Sequence, residues 1–314
     1  MTVVPLEDIE AAAERIKERV RRTPFIRARH LHDRPREGEI LLKLENLQVT
    51  GSFKARGANN AVLGLDEAAL QRGVVTASGG NHGLALAYAA RAAGSRAVIH
   101  LPENSPPSKA EKLAAWGAEV VTEGAVWDDA NHLALARAET EGLTYVHPFA
   151  NPMVMAGQGT LGLEMLKQSS HCDVFVIAIG GGGLISGVSS AIKQKKPAAR
   201  IVGVEPAGAP TLKTSLEAGE VVTLPKIETG ANTLAPRRSE AVNFDIIREN
   251  VEEIVLVSDE EMLEAARWLW FEFGIAAELS GAASLAALRA GRIALDPAKS
   301  VGILICGAGS DGVG

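Results

Sequence analysis

The chain has 314 residues, of which 46% are hydrophobic, so it can form one large domain or two moderate ones around a substantial core. Its net charge is −6 and its basic residues are scattered, which is not the charge pattern of a nucleic-acid or membrane-surface protein. Two distant cysteines, Cys172 and Cys306, make no disulfide framework, and the N-terminal stretch lacks the apolar segment of a signal peptide. We therefore expect a soluble, cytoplasmic protein with no nucleic-acid or membrane partner.

Strand-like and helix-like segments alternate along the chain. Helices are predicted at 5–22, 82–94, 108–117, 127–142, 156–168, from about Leu184, and at 261–273. Strands are predicted at 40–45, 73–78, 96–101, 119–124, from about Thr144, and at 174–179, 200–205 and 301–306. Strict alternation predicts parallel sheets covered by helices on both faces, and so many units exceed one sheet. The expected fold class is α/β, with two open parallel-sheet domains and a cleft between them.

The segment VFVIAIGGGGLISGVSSAIK, residues 174–193, carries the strongest physical signal. Its buried strand runs into four consecutive glycines, which are Gly180, Gly181, Gly182 and Gly183. Consecutive glycines are costly in chain entropy, but they let backbone N–H groups close around an anion at a helix N-terminus. A tight strand-to-helix turn would need only one or two of them. The pattern therefore favours a phosphate-binding loop.

The same loop imitates a dinucleotide-binding fingerprint without completing it. The third glycine of G-x-G-x-x-G would fall on Ser186 or Ile185, depending on the register. Glu205 nevertheless ends the next strand, where an acidic residue would bind a ribose. A nicotinamide-binding protein is therefore the alternative from a different functional class.

Two further glycine-rich loops follow predicted strands. In TASGGNHG, residues 76–83, the loop residues are Ser78, Gly79, Gly80, Asn81 and His82. Its N–H groups suit a substrate carboxylate, although Asn81 could equally be a helix N-cap. In ILICGAGSDG, residues 303–312, Cys306 lies at the strand end, where open α/β folds bind ligands; the alternative is a small core residue.

One lysine, Lys54, lies between a strand-like run and a helix start in ENLQVTGSFKARGA, residues 45–58. A lysine at a helix flank is usually a solvated charge. It can instead be a reactive amine if burial lowers its pKa, because imine formation needs the neutral form.

Taken together, these motifs resemble the fold-type II pyridoxal-phosphate enzymes, in the serine/threonine dehydratase and serine racemase branch, which share the tryptophan synthase β-like fold. The similarity rests on SFKARGA with Glu45 upstream, SGGNHG, AGQGTLGLE, GGGGLISG, VGVEP, ELSGAAS and the terminal CGAG, all in the family's order. It covers nearly the whole chain. It implies a discontinuous large domain, 1–65 and 150–314, a small domain, 66–149, and a homodimer.

The resemblance assigns the site residues. Lys54 forms the Schiff base with pyridoxal 5'-phosphate and acts as the catalytic base, with Phe53 holding it at the cleft wall. The four glycines and Leu184 bind the cofactor phosphate, Asn81 bonds the ring hydroxyl oxygen and Cys306 faces the pyridine nitrogen. The loop at 78–82 binds the carboxylate of the amino-acid substrate.

The implied reaction is β-elimination on an L-β-hydroxy amino acid such as L-threonine or L-serine, giving a 2-oxo acid and ammonia. Hydroxyaspartate or phenylserine dehydration, serine racemisation and β-replacement are alternatives within the family. Racemases of this branch have a serine as second base where this chain has Gly79, which cannot shuttle a proton. Relatives that bind a divalent cation pair a glutamate, here Glu205, with an aspartate six residues later; the chain has Thr211 there, which argues against a metal.

Overall fold

The computed structural model describes residues 3–313, which form two sheets flanked by helices. The strands are β1 Phe25–Arg27, β2 Ile40–Leu44, β3 Val74–Ala77, β4 Ala97–Leu101, β5 Glu119–Thr122, β6 Thr144–Tyr145, β7 Val174–Ala178, β8 Arg200–Pro206, β9 Glu253–Val257 and β10 Val301–Ile305. The helices are α1 Leu6–Ile16, α2 Lys54–Leu63, α3 Glu67–Arg72, α4 Asn81–Ala92, α5 Pro107–Ala115, α6 Trp127–Glu141, α7 Pro152–Gln168, α8 Gly183–Lys195, α9 Thr211–Ala218, α10 Ala241–Asn250, α11 Asp259–Phe273 and α12 Leu279–Arg289. No helix in this range is long and apolar enough to cross a membrane.

The six-stranded sheet has the order β1-β2-β10-β7-β8-β9, and the four-stranded sheet has the order β5-β4-β3-β6. Every pairing is parallel except β1 with β2. The central strands β2, β7 and β10 are buried along their whole length, as expected when helices cover both faces of a parallel sheet. The predicted α/β class with two parallel-sheet units is confirmed.

Two strands escaped prediction. The short edge strand β1 runs antiparallel to β2, because the connection between them contains no helix that could cross the sheet. The other edge strand, β9, follows α10 and pairs with β8. Both lie at the sheet margins, where burial is partial and the apolar pattern is weak.

Each sheet has its own hydrophobic core. The larger core is built on β2, β7, β8 and β10 with α8, α11 and α12. The smaller core joins β3 and β4 to α4, and it also takes Ala58, Ala61 and Val62 from α2 and Val154 from α7. The strands of the small sheet all lie within 66–149, yet helices on both sides of that range pack into its core. The domain boundaries therefore stay a prediction.

Candidate active site

A cleft opens where strands of both sheets reach their carboxyl ends. It is lined by many of the residues that the sequence predicted: Phe53, Lys54, Asn81, Gly180, Gly181, Gly182, Gly183, Leu184 and Cys306. Phe149, Ala178, Thr233, Leu234 and Glu278 complete the lining. Parallel sheets bring distant loops to one edge, which is why segments so far apart in the sequence meet here.

The segment before Lys54 is fastened to the end of β10. Thr50 and Gly51 have φ of 62° and 83°, which turns the chain sharply toward that strand. The N–H of Phe53 then donates to the carbonyl oxygen of Cys306 at 3.2 Å, and the N–H of Ala308 donates to that of Gly51 at 2.8 Å. Helix α2 begins at Lys54. The lysine is thus held at the cleft wall by backbone contacts on its N-terminal side.

Lys54 is half-buried, and its amine forms no ion pair with a carboxylate among residues 3–313. Its Nζ donates to the carbonyl oxygen of Pro148 at 2.7 Å. Burial lowers the pKa of Lys54 to about 8. About a tenth of the amine is therefore neutral at pH 7, far more than for a solvated lysine. This environment favours the reactive-amine interpretation over the solvated charge.

A buried ion network supports the lysine segment from behind. Arg56 donates to both carboxylate oxygens of Glu45 at 2.8 Å and to Glu164 at 3.0 Å. Lys43 donates to Glu164 at 2.5 Å, and the hydroxyl of Thr23 bonds Glu45. Although burial opposes it, the Arg56 guanidinium holds the pKa of Glu45 below its ordinary value. The network ties α2, β2 and α7 together two residues beyond Lys54.

Each glycine of the loop between β7 and α8 meets a close neighbour. A Cβ on Gly181 would overlap the ring of Phe149, and one on Gly183 would lie 2.5 Å from the carbonyl oxygen of that residue. A Cβ on Gly180 would lie 2.8 Å from the carbonyl oxygen of Thr233, and Gly182 has a φ of 94°. The loop leaves the N-terminal N–H groups of α8 free to face the cleft.

The asparagine loop follows β3 and leads into α4. Asn81 is the first residue of α4 and gives it no side-chain cap, so the N-cap alternative is wrong. Its Nδ2 instead donates to Oε1 of Glu278 at 2.7 Å. Ser78, Gly79 and Gly80 are half-buried beside the cleft without lining it. Their contact with a substrate carboxylate stays a prediction.

His82, the last residue of the predicted substrate loop, is turned away from the cleft. Its Nε2–H donates to the carbonyl oxygen of Val146 at 3.0 Å. Burial, with a smaller effect of Lys54, lowers the pKa of His82 to about 3. Nearby, Nδ1 of His147 accepts from the N–H of Ala150 at 3.0 Å, and burial lowers its pKa to about 4. Both imidazoles are neutral at pH 7, which supports a structural role for each.

The buried histidines predict that acid destabilises the protein. His82, His100 and His147 all have lowered pKa values, chiefly through burial. Below about pH 6.5 these histidines bind protons in the unfolded chain that they do not bind in the folded chain, so their contribution to stability falls as the pH decreases and is level above about pH 7. A histidine whose pKa is lowered as far as that of His82 or His147 contributes roughly 1.4 kcal/mol per pH unit in that window. The raised pKa of Glu205 acts in the opposite direction between about pH 4.5 and pH 8 and offsets part of this loss. Urea unfolding at pH 7 and at pH 5 measures the loss.

His100 offers a matched variant for this measurement, because both of its ring nitrogens are buried and neither has a hydrogen-bond partner in the described part of the chain, residues 3–313. His100→Leu should keep the stability at pH 7 and reduce the loss between pH 7 and pH 5. An unchanged loss would show that His100 does not contribute to the pH dependence.

Cys306 lines the cleft at the end of β10. Its Sγ lies 3.5 Å from the carbonyl oxygen of Ser280, to which the thiol donates. Burial, aided by the Glu278 carboxylate, raises the pKa of Cys306. Cys306 is therefore a neutral thiol that borders the cleft. A cysteine that served only to fill the core would not need to reach the cleft.

Glu205 lies outside the cleft. Its carboxylate oxygens accept from the N–H groups of Leu212 at 2.8 Å and Lys213 at 2.9 Å, at the start of α9. Burial raises the pKa of Glu205 to about 8, against the effect of these amides. Because both oxygens are engaged by the chain itself, the carboxylate is not presented to a ribose. Within residues 3–313 no three His, Cys, Asp or Glu side chains gather as metal ligands.

Five lining residues were not predicted as site residues, and these are Phe149, Ala178, Thr233, Leu234 and Glu278. Phe149 and Thr233 lie in segments with no local motif, so only tertiary contacts reveal them. Glu278 is the first residue of the ELSGAAS motif. This motif contributed to the family resemblance, but it indicated no role for the carboxylate. It is the one acidic side chain among the residues that line the cleft.

Comparison with known proteins agrees with this geometry. A model of the family described as pyridoxal-phosphate dependent enzyme matches residues 16–307. The chain is 40% identical over 305 residues to the L-threonine ammonia-lyase of Geobacter sulfurreducens, covering 96% of this chain and 75% of that protein. The processed form of threonine deaminase isoform 2 from Solanum lycopersicum superposes with a TM-score of 0.91 at 33% identity, covering 97% of this chain and 83% of that one. Serine racemase from Dictyostelium discoideum superposes with a TM-score of 0.90 at 35% identity, covering 98% and 99%.

Proposed function

We propose that this chain, which belongs to the family of pyridoxal-phosphate dependent enzymes, is an ammonia-lyase that converts an L-β-hydroxy amino acid, foremost L-threonine, to a 2-oxo acid and ammonia. The observation that carries the proposal is the amine of Lys54, which has a lowered pKa and faces the same cleft as the glycine loop. The relatives named threonine ammonia-lyase and threonine deaminase support the threonine substrate.

The cleft fits pyridoxal phosphate. Gly181 and Gly183 let the backbone at the N-terminus of α8 pack directly against Phe149, where any Cβ would collide with that residue. Such an N-terminus attracts a phosphate through its free N–H groups and the helix dipole. A lysine with a lowered pKa suits the cofactor aldehyde, and a neutral thiol at Cys306 suits a pyridine nitrogen. Lys54, Asn81, Cys306 and the glycine loop would therefore hold the group.

When bound, pyridoxal phosphate supplies the electron sink that makes the α-proton of an amino acid removable. The chain supplies positions and proton acceptors. Nζ of Lys54 takes the α-proton, since its lowered pKa leaves the amine able to act as a base near neutral pH. The carbonyl of Pro148 holds that amine at the cleft wall. The N–H groups at 78–82 orient the substrate carboxylate, and the β-hydroxyl leaves as water with the proton that Lys54 has taken from the α-carbon.

Enlarging Gly183 should weaken cofactor binding. In Gly183→Ala the new Cβ would lie 2.5 Å from the carbonyl oxygen of Phe149, so the loop and the first turn of α8 must shift. We expect the dissociation constant for pyridoxal phosphate to rise at least about tenfold, because a displaced N–H cradle loses charge-assisted hydrogen bonds. Absorbance titration of the apo-protein measures it.

The matched control is Gly230→Ala, where the nearest atom to the new Cβ lies at 3.3 Å. Its dissociation constant should match that of the wild type. Equal affinities for Gly183→Ala and the wild type would contradict the assignment of this loop to the phosphate.

Ammonia release tests the function. The purified protein with pyridoxal phosphate is incubated separately with L-threonine, L-serine, 3-hydroxyaspartate and phenylserine, without an added nucleophile. Release of ammonia together with a 2-oxo acid, greatest with L-threonine, is the expected result. No release unless a nucleophile is added would replace the proposal by β-replacement, and no absorbance change with the cofactor would contradict the cofactor itself.

Gly79 argues against racemase activity. A Cβ at this position would lie 2.9 Å from Leu101 and 3.4 Å from Lys109, so the loop is packed for glycine and offers no side chain that could return a proton to the opposite face of the substrate. Chiral analysis of the serine incubation should find no D-serine.

We further propose a cytoplasmic homodimer. Trp270 and Phe271 of α11 are 44% and 70% exposed, which is typical of a surface that meets another subunit. Both cysteines are free and buried, in keeping with a reducing compartment. Light scattering on the purified protein should give the mass of two chains.

A further inference from the structure

The carboxylate of Glu278 lies in the cleft against the side chain of Asn81. Oε1 accepts from Nδ2 of Asn81 at 2.7 Å, and the hydroxyl of Thr233 lies 3.4 Å from the same oxygen. Gly307 makes room for this arrangement, because a Cβ there would overlap Oε1. The absence of a side chain at Gly307 therefore makes the hydrogen bond between Glu278 and Asn81 possible.

This hydrogen bond joins the two sheets. Asn81 begins α4, directly after the loop that leaves β3 of the small sheet. Glu278 precedes α12 of the large core, and its N–H donates to the carbonyl oxygen of Gly307 at 3.3 Å, just beyond β10. A side-chain pair that bridges the cleft at this point sets the position of the asparagine loop relative to the large sheet.

Apart from the Asn81 amide, few groups stabilise the negative charge of Glu278. Within residues 3–313, no lysine, arginine or histidine forms an ion pair with it, and the distant Lys112 lowers its pKa only weakly against burial and Asp311, which raise it. A partly buried carboxylate needs hydrogen-bond donors, and the amide of Asn81 is its closest one. Conversely, the amide has two N–H groups, so one can be held by Glu278 while the other faces the ligand.

We propose that Glu278 is a positioning residue, which holds one amide N–H of Asn81 so that the rest of that side chain is fixed toward the cofactor. The inference rests on the proposed function. Glu278 acts through Asn81, so its contribution should disappear when Asn81 is absent. The geometry requires an acceptor oxygen opposite the Asn81 amide, so glutamine at position 278 should largely preserve the function of glutamate.

The test is a double-mutant cycle on cofactor affinity. Pyridoxal phosphate is titrated into the apo-forms of the wild type, Glu278→Ala, Glu278→Gln, Asn81→Ala and the double alanine variant. We expect the dissociation constant to rise about tenfold in Glu278→Ala and in Asn81→Ala, and less than about threefold in Glu278→Gln. The double variant should bind no more weakly than about tenfold, and the absorption maximum of the bound cofactor should shift alike in both single alanine variants.

Other outcomes overturn the proposal. A double variant about a hundredfold weaker would mean that the two residues act independently. A Glu278→Gln variant as weak as Glu278→Ala would mean that the negative charge, not the acceptor, matters. Wild-type affinity in Glu278→Ala would leave Glu278 no role in positioning.

Two measurements separate this inference from its foundations. Urea unfolding of the four apo-proteins of the alanine cycle tests the Asn81–Glu278 pair without the cofactor, and additive effects there would contradict the pair even if the proposed function failed. Glu264→Ala, a change at an exposed surface pair on α11, should leave both affinity and unfolding unchanged. Absence of cofactor uptake by the wild type would contradict the proposed function instead.

Discussion

Replacing Lys54 with alanine should lower the turnover of L-threonine by about 10³- to 10⁴-fold, because the base that removes the α-proton is lost. The structure offers no ready substitute. His82 and His147, the nearest imidazoles with lowered pKa values, are engaged with backbone groups and are not among the residues that line the cleft. Ammonia release under saturating substrate measures the change.

Two further variants sharpen this test. Lys54→Arg retains a positive charge but cannot become neutral near pH 7, so it should be as inactive as the alanine variant. Lys226→Ala, which removes an exposed lysine paired with Glu228, should be fully active. Turnover by Lys54→Ala within tenfold of the wild type would contradict the assignment of Lys54 as the catalytic base.

Replacing Arg56 with alanine should lower the free energy of unfolding by about 3–5 kcal/mol, since it leaves buried carboxylates without their guanidinium. Glu45 is fully buried and Glu164 is 15% exposed, so neither can recover full hydration in place. Lys43 would still donate to Glu164, whereas Glu45 would keep only the hydroxyl of Thr23 and the weaker electrostatic attraction to Lys43. Urea unfolding monitored by circular dichroism measures the loss.

Arg137 is the matched control. It also contacts two carboxylates, Glu119 at 2.6 Å and Glu141 at 2.7 Å, but both of these are more than a third exposed. Water and salt screen such pairs, so Arg137→Ala should cost less than about 1 kcal/mol. Equal losses for the two variants would show that burial does not set the strength of the Arg56 network.

Local signals in the sequence were sufficient for the central strands and the glycine loop. Strands β7 and β10 are continuous apolar runs and β2 is interrupted only by Lys43, because both faces of these strands are covered, and such runs are visible without any tertiary information. The four glycines were readable because no other residue tolerates so many close approaches in succession. The motif order then indicated the family, and with it Lys54.

The partners of the site residues depended on tertiary structure. Sequence reasoning left Asn81 between an N-cap and a ligand contact, and the structure excludes the N-cap, because the Asn81 amide donates to Glu278, which lies 197 residues further along the chain. The ligand contact stays a prediction. The surroundings of Lys54 come from Pro148 and from the end of β10, neither of which is near it in sequence. Burial of that amine, and hence its pKa, cannot be read from its neighbours in the chain.

The sequence thus sufficed for the fold class, for the strand-to-glycine edges and for the prediction that Lys54 is a reactive lysine, because each has a signal within a few residues. Tertiary structure decided which side of the cleft each loop faces, which charges are buried and which polar groups pair across the two sheets. Those properties depend on contacts between segments that only the folded chain brings together, and desolvation and hydrogen bonding are set by such contacts.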